Sequence, residues 1–418
     1  MRCERFTLSG EAAELVRELR ALVPGGESVS HAVAEIIAKV RSEGDRAVLD
    51  YTREFDGAEP ASLQVGDGEL AAAAELLDPR LRRSLDTAIA NVRDVASATH
   101  RDTVTVELET HRIHLRSEPV ARAAIYVPGG RAPYPSTVVM GVVPAQVAGV
   151  KEVVVCTPPA RDGRVPAVIL AACRLAGAAE VYPMGGAQAI AALAYGTESV
   201  EPVDLIVGPG NLYVQEAKRQ VFGQVGIDGF AGPSDLVIIV DAAADAELAA
   251  LDLLAQAEHG PGTLVVAIST SRPLLETLAG RLEEAPDPGA VAALVEVGEL
   301  DQALAVSERF APEHLELMGA GAEGLASRVS RAGALFVGPQ SATAFGDYIA
   351  GSNHILPTQG AARFASGLTP AQFQRTMAEV RVRAGGALAR EAVPLARAEG
   401  FELHARSMEA RIGDNQRP

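Results

Sequence analysis

The chain has few cysteines and few basic residues, and each shortage excludes a class of protein. Its 418 residues include three cysteines, which are odd in number and widely spaced: Cys3, Cys156 and Cys173. Neither a disulfide framework nor a Cys-x-x-Cys zinc site is therefore expected. The 37 basic residues are outnumbered by 54 acidic ones, and the resulting net charge of −17 repels nucleic acid and anionic membrane surfaces.

Long apolar segments are also missing. The longest apolar stretch, residues 136–150, is too short to span a bilayer and contains a proline. The start of the sequence, MRCERFTLSGEAAEL, has no apolar core of the kind found in secretory signals. We therefore expect a cytoplasmic protein with neither a membrane nor a nucleic acid as its partner.

The usual dinucleotide fingerprint, Gly-x-Gly-x-x-Gly, is absent, although much of the chain has the pattern of a nucleotide-binding fold. The first hundred residues have helical spacing, whereas from about Val120 short Val- and Ile-rich runs alternate with Ala-rich helical segments. This alternation predicts an α/β fold with mostly parallel sheets, in which active sites gather at the carboxyl ends of the strands. Glycine-rich loops, each of which can receive an anion or form only a tight turn, follow several strands: 128–136, 185–188, 208–211 and 231–234.

The segment LLAQAEHG contains two side chains that are suited to a metal. A helix starting near Ala244 is predicted to end at Gly260, which puts Gln256 and His259 on one face of its last turn. That spacing suits two ligands of a single ion. A histidine at this position is equally typical of a helix C-terminus, where the helix dipole favours it.

A second group of candidate ligands lies in the last fifth of the chain. Asp347 and His354 bracket a glycine-hinged loop in FGDYIAGSNHILP, which can turn an oxygen and a nitrogen ligand toward one centre. His404 lies five residues after Glu399. The pattern allows a zinc site with mixed nitrogen and oxygen ligands, while Asp347 is also typical of a turn and His404 of an exposed helical position.

Glu313 and His314 are adjacent in the segment FAPEHLEL. Pro312 at the first position of a helix, with a glutamate just inside it, would be ordinary helix chemistry. Cys156 ends a Val-rich strand and is either a nucleophile for aldehyde oxidation or an inert core residue. The residues alone leave both pairs of alternatives open.

Long motifs, taken together and in order, resemble the histidinol dehydrogenase family. The likeness runs from about Tyr51 to Arg411. It rests on the strings YVPGGRAPYPSTVVMGVVPAQVAGVKEVVVCTPP, GGAQAIAALAYGT, VGPGNLYVQEAKR, AGPSDL, LLAQAEHG, APEHLEL, GDYIAGSNHILPT and AEGFELHARSMEAR. Such an ordered series is far more specific than any single motif.

The resemblance implies a zinc- and NAD-dependent enzyme that oxidises L-histidinol to L-histidine through the aldehyde and uses two NAD. The implied zinc ligands are Gln256, His259, Asp347 and His404. The implied substrate-binding residues are Ser234, Gln256, His259, His314, Asp347, His354, Glu399 and His404. The implied NAD-contacting residues are Tyr126, Gln188 and Asn211. The resemblance also implies a homodimer, in which the C-terminal segment with Glu399 and His404 completes the partner's site.

The fold that the resemblance implies has two Rossmann-like domains, a helical N-terminal segment and a small helical C-terminal domain. We assign residues 1–120 and 236–367 to the first domain, 121–235 to the second and 368–418 to the C-terminal segment. This last segment is predicted to form two amphipathic helices that are broken at Pro394 and Gly400.

The adjacent pair in APEHLEL then acquires a role in each half of the reaction. An imidazole that titrates near neutrality suits the removal of the hydroxyl proton, so His314 is the predicted general base. The second oxidation needs a hydrated aldehyde, and Glu313 is predicted to activate the water. Zinc would anchor the imidazole and amine of the substrate, and Glu399 would pair with its ammonium or hold its imidazole.

Two departures from the family pattern are visible: its usual GPSE reads GPSD here, ending at Asp235, and GPGTLVVAIST after His259 is atypical. Three rival functions also remain. A related zinc dehydrogenase could oxidise another small polar alcohol, such as sulfopropanediol, although Glu399 disfavours an anionic substrate. A metallohydrolase would need no cofactor, and a catalytically silent scaffold would tolerate replacement of Glu313 and His314.

Overall fold

The structure, a computed structural model, describes residues 1–23, 28–129, 132–230 and 232–412. Within it the chain divides into a larger unit, Met1–Thr99 with Val120–Phe373, and a smaller unit, His100–Pro119 with Gln374–Pro418. The larger unit holds two parallel sheets with helices on both faces of each, and this confirms the predicted α/β class. Gly130, Arg131 and Ala231, in two of the glycine-rich loops, lie outside the described residues.

The first hundred residues are helical, as their apolar spacing predicts, except for one strand at the start. The elements are β1 Arg2–Thr7, α1 Ala12–Ala21, α2 Ser30–Glu43, α3 Asp45–Tyr51, α4 Asp67–Glu75 and α5 Pro79–Thr99, with a π-helical segment at Thr52–Asp56. The next two strands, β2 Val104–Glu107 and β3 His111–Pro119, belong to the smaller unit.

A five-stranded parallel sheet follows. Its elements are β4 Arg122–Tyr126, α6 Pro135–Val147, β5 Glu152–Thr157, α7 Ala167–Ala176, β6 Glu180–Pro183, α8 Gly186–Tyr195, β7 Leu205–Val207, α9 Leu212–Val221 and β8 Gly226–Ile227. The strand order is β6-β5-β4-β7-β8. The chain therefore starts in the middle of the sheet, builds to one side and then crosses to the other, so that the order reverses between β4 and β7. Such a switch point leaves a crevice at the carboxyl ends of the two strands.

A six-stranded parallel sheet repeats this winding. Its elements are β9 Asp235–Val240, α10 Ala246–Ala257, β10 Leu264–Ser269, α11 Arg272–Glu284, β11 Val291–Glu296, α12 Leu300–Phe310, β12 His314–Met318, α13 Ala320–Glu323, β13 Ala334–Val337 and α14 Thr343–Tyr348. The strand order is β1-β11-β10-β9-β12-β13. Three short 3-10 segments complete the larger unit: Ala326–Arg328, Ala361–Arg363 and Pro370–Phe373.

The helices of the first hundred residues are shared between the two sheets. We expected residues 1–120 to accompany the six-stranded sheet, and β1 and α1 do so. Helices α2 and α3 instead pack with α8 and α9 on one face of the five-stranded sheet, and α4 and α5 pack with α6 and α7 on its other face. Apolar burial on both faces explains why the strands are nearly continuous apolar runs.

We expected the chain to be helical from residue 368 onward, but the smaller unit also contains strands. It contains β14 Gln374–Val382, α15 Gly385–Ala398 and α16 Glu402–Glu409. Strand β14 pairs antiparallel with β3 in a three-stranded sheet of order β14-β3-β2. Helix α15 continues through Pro394, so the predicted break there is wrong, whereas the break at Gly400, where φ is +81°, is present. Among the described residues, no helix is long and apolar enough to cross a membrane.

Candidate active site

The predicted catalytic residues lie where β9 and β12 begin. These strands are parallel neighbours with His314 opposite Leu236, so the residues that precede them meet at one edge of the sheet. The Ser234 hydroxyl donates a hydrogen bond to Glu313 Oε2, which also accepts one from the Asp235 backbone N–H at 3.1 Å. Although Ser234 and Glu313 are 79 positions apart in the sequence, the register of the sheet places them in direct contact.

The end of α10 reaches the same edge. This helix runs back across the sheet from β9, so its last turn returns to the amino end of that strand. Gln256 Nε2 donates to Ser234 Oγ at 2.7 Å, and His259 Nδ1, in the turn that follows the helix, lies 3.2 Å from the same oxygen. Gln256 Nε2 and His259 Nδ1 are 3.4 Å apart. Three of the predicted residues thus surround one hydroxyl group.

Helix α14 and the loop after it add Asp347 and His354. His314 Nε2 is 3.8 Å from Asp347 Oδ1, and His314 Nδ1 is 3.9 Å from Glu313 Oε2, so the imidazole lies between two carboxyl groups. His354 Nδ1 lies 2.9 Å from the backbone oxygen of Asp347, and its Nε2 lies 3.1 Å from Thr137 Oγ1. Thr137 is in α6, which packs on the five-stranded sheet, so this histidine joins the environments of the two sheets.

Burial controls the charge of Glu313 and His314. Burial, and then the neighbouring charge of Asp235, raise the pKa of Glu313 to about 8. Burial also lowers the pKa of His314 below its ordinary value, and the carboxylate of Asp347 only partly opposes this shift. His314 Nδ1 has no hydrogen-bond partner among the described residues. Burial therefore favours the neutral form of the imidazole, which can accept a proton.

The other two titratable groups of the cluster are shifted for the same reason. Burial raises the pKa of Asp347 to about 6, while nearby His314 acts to lower it. Burial, with smaller contributions from His314 and His259, lowers the pKa of His354 to about 4, although the hydrogen bond with the Asp347 backbone opposes this shift. A neutral His354 can donate from Nδ1 to the carbonyl of Asp347 and accept at Nε2 from the Thr137 hydroxyl, which uses both ring nitrogens.

Two features of this site differ from the sequence-based expectations. Pro312 does not begin a helix: Glu313 ends a loop, and His314 is the first residue of a fully buried strand. In addition, the cluster lies at the amino ends of the strands of the six-stranded sheet, not at the carboxyl ends. At the carboxyl end of β9 the N–H groups of Gly321 and Ala322 already donate to Asp241 Oδ2, at 2.6 and 3.3 Å, so a side chain of the protein takes the place of an anion there.

The predicted NAD-contacting residues lie at the carboxyl ends of the five-stranded sheet. Tyr126 is the last residue of β4, and its hydroxyl accepts a hydrogen bond from the Gly186 N–H at 3.1 Å. Gly208, with φ of +120°, follows β7 and lies so close to β4 that a Cβ would be 2.2 Å from the Tyr126 carbonyl oxygen. Asn211 caps α9 by accepting from Val214 N at 3.1 Å.

The side chain of Gln188 indicates whether a nucleotide could bind at the carboxyl ends of the five-stranded sheet. Its side chain is 1% exposed in the first turn of α8, and neither Oε1 nor Nε2 has a hydrogen-bond partner among the described residues. A buried amide without partners is costly, by about 1–3 kcal/mol, unless a ligand or water satisfies it. The orphaned amide, the switch point and the Gly208 approach together fit a dinucleotide.

Three of the four predicted zinc ligands, Gln256, His259 and Asp347, belong to this cluster, so the set of ligands is incomplete. In the described part of the chain no group of three His, Cys, Asp or Glu side chains is arranged to hold a metal. The 3.4 Å between the end groups of Gln256 and His259 is, however, close to the ~3.4 Å that separates two tetrahedral ligands at zinc bond lengths. Rotation of the Gln256 amide by 180° would present its oxygen at that position. Asp347 would supply the carboxylate of the mixed ligand set.

The remaining predicted residues, Glu399 and His404, lie in the smaller unit. Glu399 follows the last residue of α15, and the ring of His404 in α16 stacks on Phe401 with 5.0 Å between centroids. Apolar side chains next to them are strongly exposed: Leu395 68%, Phe401 52% and Leu403 76%.

Three residues of the site were not found by reading the sequence. Asp235 was noted only as a departure from a pattern, yet it contacts the backbone of Glu313. Arg20, which contacts Asp235 at 2.9 Å, lies in the first helix, where no local signal distinguishes it from other surface arginines. Thr137 lies in the apolar stretch 136–150, which was considered only for its length.

Comparison with known proteins identifies the family of the chain. The family model described as histidinol dehydrogenase matches residues 24–412. Histidinol dehydrogenase of Parasynechococcus marenigrum is 43% identical, over 99% of this chain and 98% of its own length. The enzyme of Geobacillus kaustophilus is also 43% identical, with 94% and 96% covered. The crystal structure of histidinol dehydrogenase from Elizabethkingia anophelis superposes with a TM-score of 0.89 at 30% identity, and covers 98% of this chain and 97% of that one.

Proposed function

The chain belongs to the histidinol dehydrogenase family, and from that premise we propose that it oxidises L-histidinol to L-histidine through the aldehyde, with two NAD and one zinc ion. The observation that best supports the proposal is the cluster at the starts of β9 and β12, where a neutral imidazole and a carboxyl group of raised pKa lie side by side. The nicotinamide of a bound NAD would accept the hydride in each step.

The first half of the reaction uses His314. Because burial keeps this imidazole neutral, it is ready to take the hydroxyl proton of the alcohol as the hydride leaves. The Asp347 carboxylate, 3.8 Å from Nε2, then stabilises the imidazolium that forms.

The second half uses Glu313. The aldehyde must first take up water, and the ionised carboxylate removes a proton from that water. A pKa of about 8 makes Glu313 a stronger base than an exposed glutamate once it is ionised. As water adds, His314 gives its proton to the aldehyde oxygen and becomes neutral again. It then accepts a proton of the hydrate as the second hydride leaves, which completes the four-electron oxidation.

The remaining residues bind and orient the substrate. Gln256, His259 and Asp347 would hold zinc, which when bound would fix the imidazole and amine of histidinol. Ser234 and His354 line the same cluster and would bind the substrate with them. Tyr126, Gln188 and Asn211 would bind NAD at the carboxyl ends of the five-stranded sheet.

We propose that a second copy of the chain supplies Glu399 and His404. The exposed apolar side chains beside them support this, because Leu395, Phe401 and Leu403 would be covered in a dimer. Mixing inactive His314→Ala protein with inactive His404→Ala protein should then restore activity, up to about a quarter of the wild-type value, because hybrid dimers contain one intact site. No recovery after subunit exchange would argue against shared sites.

The central experiment measures NADH formed per histidinol consumed by the purified protein with zinc and NAD. We expect two NADH per histidinol, complete loss of activity on chelation and recovery with zinc. His314→Ala should block both half-reactions, and Glu313→Gln should mainly block oxidation of added histidinaldehyde, by about 10²-fold or more. If Glu313→Gln oxidises the aldehyde normally, or if chelation has no effect, the corresponding part of the proposal is wrong.

A further inference from the structure

Asp235 is a buried carboxylate that the mechanism above does not use. Asp235 is 1% exposed, and both of its carboxylate oxygens accept hydrogen bonds. Oδ1 accepts a hydrogen bond from the backbone N–H of Glu313 at 2.7 Å, and Oδ2 accepts one from Arg20 Nη1 at 2.9 Å. In return, the Asp235 backbone N–H donates to the Glu313 side chain. Each residue thus holds the other by one bond from its backbone and one from its side chain.

Arg20 extends this arrangement to the segment that leads into Glu313. Its Nη2 donates to the backbone oxygen of Phe310 at 2.9 Å, and its guanidinium lies 3.8 Å from the centroid of the Phe310 ring. Phe310 ends α12, and the short connection to β12 begins with Ala311 in a left-handed conformation, φ +50°. Arg20 and Asp235 therefore fix both ends of the three-residue connection that carries the water-activating group.

We infer that Asp235, held by Arg20, is a positioning residue that orients the Glu313 carboxyl group toward the water added to the aldehyde. The inference rests on the proposed function and adds residues to its second half-reaction. Its physical basis is the fixed direction of the Glu313 side chain: Oε2 is held by Ser234 and Asp235, which leaves Oε1 as the oxygen available for the proton. A misplacement of a catalytic group by about 1 Å can cost ~10²-fold in rate.

The charges around Glu313 are consistent with this role. Asp235, Asp347 and His314 lie near it, with Arg20 behind Asp235. The charge of Asp235 adds to burial in raising the pKa of Glu313. Burial also raises the pKa of Asp235 itself, while Arg20 and the Glu313 N–H stabilise its charged form. The pair therefore affects both the direction and the basicity of Glu313.

The test compares the two half-reactions in single variants. Oxidation of histidinaldehyde with NAD reports the second half, and reduction of histidinaldehyde with NADH runs the first half backwards. Asp235→Asn keeps the size of the side chain but turns an amide toward Arg20. We expect its aldehyde oxidation to fall about ten-fold or more, its aldehyde reduction to change less than about three-fold, and its KM for histidinol to stay the same.

Arg20 provides the second variant and the controls. Arg20→Met should give the same selective loss, Arg20→Lys should restore part of it, and Arg17→Met, an exposed arginine on the same helix, should leave both half-reactions unchanged. Circular dichroism and thermal unfolding report the folded fraction of each variant. If both half-reactions fall by the same factor, or if neither falls, Asp235 serves only the fold and the inference is wrong. Failure of the proposed function has a separate sign, because Glu313→Gln would then oxidise the aldehyde at the wild-type rate.

Discussion

Replacing Lys218 by methionine should destabilise the protein far more than the same change at its neighbour Arg219. Lys218 is 1% exposed, and its ammonium contacts Asp228 and the Gly208 carbonyl oxygen, the latter at 2.9 Å. Asp228 Oδ2 in turn accepts from the Gly208 N–H at 2.7 Å. Lys218 and Asp228 therefore hydrogen-bond to both backbone polar groups of Gly208, the glycine that lies against Tyr126 at the switch point.

The expected magnitudes follow from burial. Removal of one partner of a buried pair leaves the other charge unpaired, which costs about 3–5 kcal/mol. Arg219 pairs with Glu216 on the surface, where its side chain is 55% exposed, and such pairs contribute about 0–1 kcal/mol. The adjacent positions of Lys218 and Arg219 on α9 make the two changes a matched comparison.

Urea titrations followed by circular dichroism measure the difference. Lys218→Met should lower the free energy of unfolding by ~3 kcal/mol or more, and Arg219→Met by about 1 kcal/mol or less. Lys218→Met combined with Asp228→Asn should be more stable than Lys218→Met alone, because the double change removes the unpaired charge yet keeps an acceptor for Gly208. Equal losses for the two single variants, or a further loss in the double variant, would refute the reasoning.

Two further predictions concern packing and pH. Gly141→Ala should lower the free energy of unfolding by about 1–3 kcal/mol, because a Cβ would lie 2.3 Å from Ile125 Cγ2. Gly280→Ala should be neutral or stabilising, because a Cβ there meets nothing within 4 Å. The urea midpoints of the two variants measure the difference. Burial and the charge of Asp252 raise the pKa of Glu316 from its ordinary value of 4.5 to about 9. Between these two pH values the folded state keeps a proton that the unfolded chain releases, so the stability of the fold falls as the pH rises. Glu316→Gln should therefore gain stability relative to the wild type between pH 6 and pH 8.5, and a constant difference would contradict this.

Reading the residues alone found seven of the strands, namely β4 to β7, β9, β10 and β13, but not their arrangement. Seven Val- and Ile-rich runs were recognised because strands buried on both faces are nearly continuous in apolar residues. Strand β12 was missed because His314 and Glu316 interrupt its apolar run, although the whole strand is buried. Strand β14 was missed for a related reason: its mostly exposed side chains give no apolar period.

The site itself depended on long-range pairing that no local pattern contains. Gln256 lies in the last turn of α10 and His259 in the turn that follows it, and their proximity could be read from their spacing. The contact between Ser234 and Glu313 requires β9 and β12 to be neighbours in register. Arg20 reaches the site only because α1 packs beside α12 on that sheet. The ordered motifs identified the family, while the positions of these side chains came from tertiary structure.

The pairing of β12 also limits which parts of the molecule can move. This strand is hydrogen-bonded on one side to β9 and on the other to β13, so the backbone that carries His314 cannot shift without breaking two ladders at once. Amides in such a central strand exchange with solvent only in rare, large openings. In the proposed reaction the ring of His314 therefore stays fixed as a reference point while the substrate enters and the product leaves.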